Sequence, residues 1–337
     1  MLKRAGRSSK PIAVAWLCVL LWGSASSVAA SPAQSKDKNP YAQSGFVTSW
    51  DGAKIHYIEA GRSKVPFGNA EEGDPVPPPV APMKGSVISV TGTGPHEAPS
   101  ILFVPGFTMP AWIWEKQIVH FSAKYHVVAM DLRSQGESAK TGEGDYPAAH
   151  ARDMKAVIEQ LRLAPVVLVG WSMGVSEIAA YVDQFGTSAL AGIILVDGVA
   201  ALDLTPEYIK GGIEFLKGMQ ANRAQMTDGF VRSMFRKPQA EEYLQKLIKG
   251  SLGTPTDSAV AIGLATFTSD SRPAIVKINK PTLIVGATKD LVPQFQEMQK
   301  SIPGARFELF DDAGHALFVD DADKFNNLLD EFLTSLK

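Results

Sequence analysis

Cysteine is almost absent from this chain of 337 residues: Cys18 is the only one, and it lies inside an apolar run near the start. An intramolecular disulfide is therefore excluded, and the body of the sequence offers no thiolate nucleophile or cysteine metal ligand. Histidine is sparse as well, with six in all, and none sits in a spacing such as H-E-x-x-H. His56, His96, His120, His126 and His150 accordingly read as structural or exposed, and no metal is expected. Basic clusters are lacking too. Lys and Arg total 33 against 35 Asp and Glu, for a net charge of −2, which disfavours a nucleic-acid partner. No apolar run reaches the roughly 20 residues that a membrane-spanning helix requires. The Thr91-Gly92-Thr93-Gly94-Pro95 stretch has too few glycines for a dinucleotide loop and no helical pattern after Pro95, so it is set aside.

What the first thirty residues do contain is ordered. Lys3, Arg4, Arg7 and Lys10, without an acid, lead into an apolar segment at 11–22 and then a small-residue run ending Val28-Ala29-Ala30. This predicts a secretory signal peptide over 1–30, cut before Ser31, and an exported protein that is periplasmic or secreted. No stable membrane insertion is expected once the signal is removed. Residues 31–44 are polar and read as a flexible lead-in.

The rest is 45% hydrophobic and 20% charged for the chain as a whole, enough for one large core. Segments 45–50 and 55–60, around Asp51-Gly52, read as an opening hairpin. A proline-rich insertion follows at 61–99, and its Val76 to Pro82 run cannot form a central strand because proline lacks an N–H. A short strand is expected at 87–90. From Ile101 strands and helices alternate: strands at 101–104, 126–130, 166–170, 190–196, 282–286 and 306–310, helices at 148–161, 173–185, 293–301 and 322–336. That order demands an α/β architecture, a mainly parallel sheet with helices on both faces, built from 45–197 and 273–337. Between them, 198–272 reads as a helical lid. Thr205-Pro206-Glu207 is a good helix start. Met226, Phe230 and Met234 recur at helical spacing, and with Phe215, Met219, Phe235 and Phe267 give the lid an apolar face. That face suits packing onto the main domain and lining a pocket for an apolar acyl or aromatic group. Trp112, Trp114 and Trp171 stand near the same edge, with packing as their default role.

One stretch carries the chemistry. Val166-Val167-Leu168-Val169 reads as a buried strand, Gly170-Trp171-Ser172-Met173-Gly174 follows at once, and a helical run begins immediately after. A strand that reverses into a helix so tightly holds the central serine in a strained conformation with its hydroxyl projecting from the sheet edge. Bare glycines two places either side let strand and helix approach. Ser172 is thus the candidate nucleophile. It needs a base, and His315, in Asp311-Asp312-Ala313-Gly314-His315, is the only histidine C-terminal to it. The base needs an orienting acid. Asp290, after the 282–286 strand, is preferred, and Asp197, ending the 190–196 strand, is the rival. Oxyanion donors are expected from the backbone N–H groups of Met173 and of Phe107, which follows Pro105-Gly106.

With these residues in view, the chain is identified as resembling the α/β-hydrolase superfamily from about Gly45 to its C-terminal end. Asp131-Leu132-Arg133-Ser134-Gln135-Gly136-Glu137-Ser138 resembles the family's Asp-x-Arg-x-x-Gly-x-Ser loop, with Ser134 and Gln135 in place of the more usual Gly-His. Asp131 and Arg133 are expected to make structural contacts. Trp171 and Met173 resemble the small-substrate esterases and cofactor-free haloperoxidase-like members, and Ser172 disfavours members with an aspartate nucleophile. The resemblance implies a serine esterase acting on a small-molecule ester-like substrate, without a cofactor. Hydrolysis of a lactone or a carbon–carbon bond, perhydrolysis, or a ligand-binding role with slow turnover remain as alternatives.

Overall fold

The computed structural model describes residues 43–61, 98–202 and 204–336. The export signal expected at 1–30, nearly all of the 31–44 lead-in and nearly all of the 61–99 insertion, with His96 and the 87–90 strand, lie outside the described residues.

Alternating polar and apolar residues around Asp51-Gly52 form the antiparallel pair β1 (Gln43–Thr48) and β2 (Lys54–Gly61), and Gly52 turns the chain at φ 90°. Strands and helices then alternate: β3 (Ser100–Val104), α1 (Glu115–Phe121), β4 (His126–Met130), α2 (Pro147–Gln160), β5 (Val166–Trp171), α3 (Gly174–Phe185) and β6 (Leu190–Val196). Four helices follow, α4 (Pro206–Ala221), α5 (Arg223–Ser233), α6 (Glu241–Leu252) and α7 (Thr256–Thr268). The alternation resumes with α8 (Arg272–Ile275), β7 (Thr282–Gly286), α9 (Val292–Ser301), β8 (Arg306–Leu309), α10 (Leu317–Asp320) and α11 (Ala322–Ser335). The strands make one eight-stranded sheet in the order β1-β2-β4-β3-β5-β6-β7-β8. β2 pairs antiparallel with both of its neighbours, β1 and β4; β4, β3, β5, β6, β7 and β8 run parallel to one another.

The inner strands are buried on both faces because their side chains feed two cores. Leu102, Val128, Leu168 and Ile193 point to the side packed by Met154 and Val157 of α2, Ile178 of α3 and Phe295 of α9. Phe103, Ala129, Val169 and Ile194 point to the other side, against Ile118 of α1, Phe318 of α10 and Phe325 of α11. Each large apolar side chain fully removed from water there contributes roughly 1.5–3 kcal/mol. Trp114 belongs to this second core and stacks on Phe318 at 3.9 Å, so it packs and does not border a cleft.

The loop after β4 ties the antiparallel end of the sheet to α2. The Asp131 carboxylate accepts from the Glu137 amide at 2.8 Å, from the Ala111 amide, and from His56 Nδ1 at 2.7 Å. Gly136, at φ 47°, is required because a Cβ would fall 2.1 Å from that carboxylate carbon. Arg133, 1% exposed, donates to Asp153 through Nε at 3.0 Å and Nη2 at 2.7 Å, and also to Asp51. These contacts are structural, as the sequence suggested. Removing the guanidinium leaves the fully buried Asp153 without its charge partner. Arg133→Ala is therefore expected to cost about 3–5 kcal/mol in urea unfolding, with little change in kcat for the fraction that remains folded.

Candidate active site

Parallel β3, β5, β6 and β7 deliver their C-terminal loops to one edge of the sheet, where ligands bind in such architectures. Ser172 caps β5 at φ 58°, a left-handed conformation that costs a non-glycine residue about 1–3 kcal/mol. The fold holds it there from several sides. Its amide donates to the Val196 carbonyl at 2.8 Å, so the sheet ladder continues to the strained residue itself. A Cβ on Gly170 would lie 2.5 Å from the Gly174 carbonyl oxygen, and one on Gly174 2.8 Å from that of Val104. The close strand–helix approach that the G-x-S-x-G spacing implied is therefore real.

His315 is buried against the indole of Trp171, with ring centroids 4.9 Å apart, and Trp171 Nε1 donates to the His315 carbonyl at 2.9 Å. The residue before Ser172 thus anchors the histidine loop. Gly314 serves that loop by closeness: a Cβ there would meet the Met234 carbonyl and the Arg236 amide at 2.6 Å. The histidine loop therefore fits tightly against the end of α5 at Gly314.

Asp290 does not orient His315. It is exposed in a short turn after β7, whereas His315 Nδ1 lies 2.7 Å from Oδ2 of Asp197 at the end of β6. The Asp197 carboxylate is wholly buried, and it accepts from the Ala287 amide at 2.7 Å, the Thr288 amide at 2.9 Å and the Thr288 hydroxyl at 2.7 Å. The loop after β7, expected to supply the acid, supplies N–H donors to it instead. With three donors already on that carboxylate, His315 Nδ1–H is assigned as the fourth, which leaves Nε2 as the basic nitrogen of the neutral ring. Burial lowers the His315 pKa below its ordinary value, and Asp197 offsets that only in part.

Gly106 to Met109 form a turn closed by the Met109 amide donating to the Gly106 carbonyl at 3.1 Å. The Phe107 amide is not used in that bond. A Cβ on Gly106 would stand 3.1 Å from the Cβ of Ser172, which shows how closely this turn approaches the serine. Thr108, buried and at φ 58°, fixes the turn through its hydroxyl, 2.7 Å from that of Ser251 on α6. Met173 stands at the start of α3, where amide groups and the helix dipole favour negative charge.

Phe107, Ser172 and Met173 share the wall of one cavity of about 110 Å³, which is lined as well by side chains of α4, α5 and α7. Phe215, Phe230 and Phe267 make that wall largely apolar. Met219 and Met234 are buried in the helix packing. Trp112 packs edge-on to Tyr243. Helix packing and pocket lining are thus both served by the apolar residues of the inserted helices, by different side chains.

A family model described as the alpha/beta hydrolase family matches residues 101–328. The chain belongs to the alpha/beta hydrolase family. This hydrolase is 26% identical over 246 residues to the AB hydrolase superfamily protein YisY of Bacillus subtilis, covering 70% of this chain and 91% of that one. It is 29% identical over 220 residues to the bifunctional esterase/perhydrolase DCH of Acinetobacter calcoaceticus, covering 60% and 78%. Among solved structures, an esterase from Exiguobacterium antarcticum superposes with a TM-score of 0.72 at 22% identity, covering 86% of this chain and 99% of that one. The fold is that of the α/β hydrolases.

Two features of this α/β hydrolase escaped the sequence reading. Ser251, which fixes Thr108, sits in a helical run with nothing to mark it. Gly198 did carry a signal: a Cβ there would lie 2.3 Å from the Ser172 carbonyl, so Asp197-Gly198 announces a chain passing close to the strained serine. Among the described residues no group of three or more His, Cys, Asp or Glu is arranged to hold a metal, and no helix is long and apolar enough to cross a membrane.

Proposed function

We propose that this protein is a serine hydrolase that cleaves small or medium, apolar carboxylic esters through an acyl-enzyme. One observation carries the reading. The strained Ser172 opens into an apolar cavity beside the Phe107 and Met173 amides, at the same sheet edge as a buried His315–Asp197 pair.

Ser172 Oγ attacks the ester carbonyl carbon while His315 Nε2 takes its proton, and the tetrahedral oxyanion is held by the Phe107 and Met173 N–H groups. Asp197 stabilises the imidazolium through Nδ1–H. His315 then gives the proton to the departing alcohol oxygen as the C–O bond breaks. Water attacks the acyl-enzyme, losing its proton to His315, and collapse returns that proton to Ser172 Oγ and frees the acid. Hydrogen peroxide in place of water would give a peracid, the perhydrolysis that the name of the Acinetobacter relative suggests as a second reading.

A series of p-nitrophenyl esters from acetate to decanoate tests the proposal. The cavity favours short acyl groups, so kcat/KM should peak in the first members and fall with length. The pH dependence has a fixed sign. Protonated His315 cannot accept from Ser172, so activity is lost as pH falls through the His315 pKa, which lies below the ordinary value of 6.5. The rate should therefore rise with pH on the acid side and level off before neutrality. Absence of turnover on every ester at neutral pH refutes the reading.

A further inference from the structure

Tyr208 occupies the third position of α4, and its backbone amide donates to the Thr205 hydroxyl that caps the helix, at 3.2 Å. Its ring packs edge-on to Phe267, with centroids 6.3 Å apart, and lines the same cavity as Ser172. The phenol oxygen is shielded from solvent, yet no hydrogen-bond partner for it occurs among the described residues. Buried hydroxyls are ordinarily paired, because burial without a partner forfeits their hydration. The other hydroxyls on the lid side of the cavity are engaged with their own helix: Thr266 donates to the Ile262 carbonyl at 2.8 Å and Ser269 to that of Ala265 at 2.6 Å. Burial pushes the Tyr208 phenol up to about 12, so it remains a protonated donor throughout the neutral range.

We propose that Tyr208 is a specificity-determining residue whose hydroxyl donates to a second oxygen on the substrate, so that the preferred acyl groups carry an ether or keto oxygen in addition to the scissile ester. This deepens the proposed hydrolase reading and rests on it. The phenyl rings of the wall would hold the hydrocarbon part, and Tyr208 would reward an acceptor that an all-carbon acyl chain lacks. In a largely apolar cavity, an unsatisfied donor on the wall favours the isostere that offers it an acceptor.

The test compares isosteric ester pairs, p-nitrophenyl methoxyacetate against butyrate and 3-methoxypropionate against pentanoate, in the wild type and in Tyr208→Phe. Taking the ratio of kcat/KM within each pair, and then comparing the two proteins, removes the intrinsic reactivity of the alkoxy ester. For at least one pair, the preference for the oxygen-bearing acyl group should fall roughly tenfold in Y208F. Ratios unchanged in both pairs overturn the proposal. Thermal unfolding gives an independent readout. Removal of a hydroxyl that has no partner should leave Tm of the ligand-free protein at or above the wild-type value. A clear fall shows the hydroxyl already bonded in the resting protein and overturns the proposal as well. Failure of the hydrolase reading looks different: the wild type then turns over neither ester of any pair, while the thermal comparison still decides whether the hydroxyl is engaged.

Discussion

Asp197→Asn is expected to lower kcat by about 10⁴-fold, while Asp290→Asn should leave it within about a factor of two. The contrast follows from what each carboxylate touches. Asp197 accepts from His315 Nδ1 at 2.7 Å and is held in place by two backbone amides and a hydroxyl. An asparagine of the same shape would present its amide N–H₂ to Nδ1, which favours the tautomer protonated on Nε2. That tautomer cannot take the Ser172 proton, and the imidazolium loses its counter-charge. Asp290 is exposed and contributes nothing comparable. Steady-state kinetics on a short-chain ester, with far-ultraviolet circular dichroism to confirm folding, decides the matter. Equal losses from the two substitutions, or a larger loss from Asp290→Asn, would return the orienting role to the loop after β7.

Ser172→Ala removes the proposed nucleophile and is expected to reduce turnover by about 10⁴-fold or more, leaving only what the proposed oxyanion donors and the cavity supply. A fluorophosphonate probe should add one adduct to the wild type, mapped by mass spectrometry to the peptide containing Ser172, and none to the variant. The fold should be kept, because the sheet ladder at this point runs through the backbone amide, 2.8 Å from the Val196 carbonyl, and not through the hydroxyl. A variant that folds and still hydrolyses esters at the wild-type rate would remove Ser172 from the mechanism. Labelling without turnover of any ester would favour a ligand-binding protein with a reactive but idle serine.

The parts of this molecule that were legible in advance are those that short-range physics dictates. The 166–174 stretch combines an apolar strand, a serine and two glycines, and each glycine has a local steric reason that the structure displays at 2.5–2.8 Å. The parallel strands were found to within a residue or two, because runs such as Val166 to Val169 are buried on both faces and so are apolar throughout. The acid was not legible in the same way. Asp197 and Asp290 both follow apolar strands, and chain order accepts either. What separates them is the neighbourhood of β6 and β5 and the donation of amides by the loop after β7, facts of three-dimensional arrangement that residue type does not encode. The four inserted helices were foreseen as a group but not individually. Their apolar residues serve the cavity, the core and one another, and a single-faced helical period is lost when several faces are buried. Tyr208 was invisible for a simpler reason: only a cavity shows that a hydroxyl has nowhere to donate.

The grip on Asp197 separates what can be altered in this site from what cannot. Two of the three groups that position the carboxylate are main-chain N–H groups of Ala287 and Thr288, which persist whatever side chains that loop bears. Leu291, three residues past Thr288, faces the cavity. Substituents at that rim can therefore be exchanged to retune which acids are accepted, while the proton-relay geometry behind them stays anchored in backbone that point mutation leaves in place.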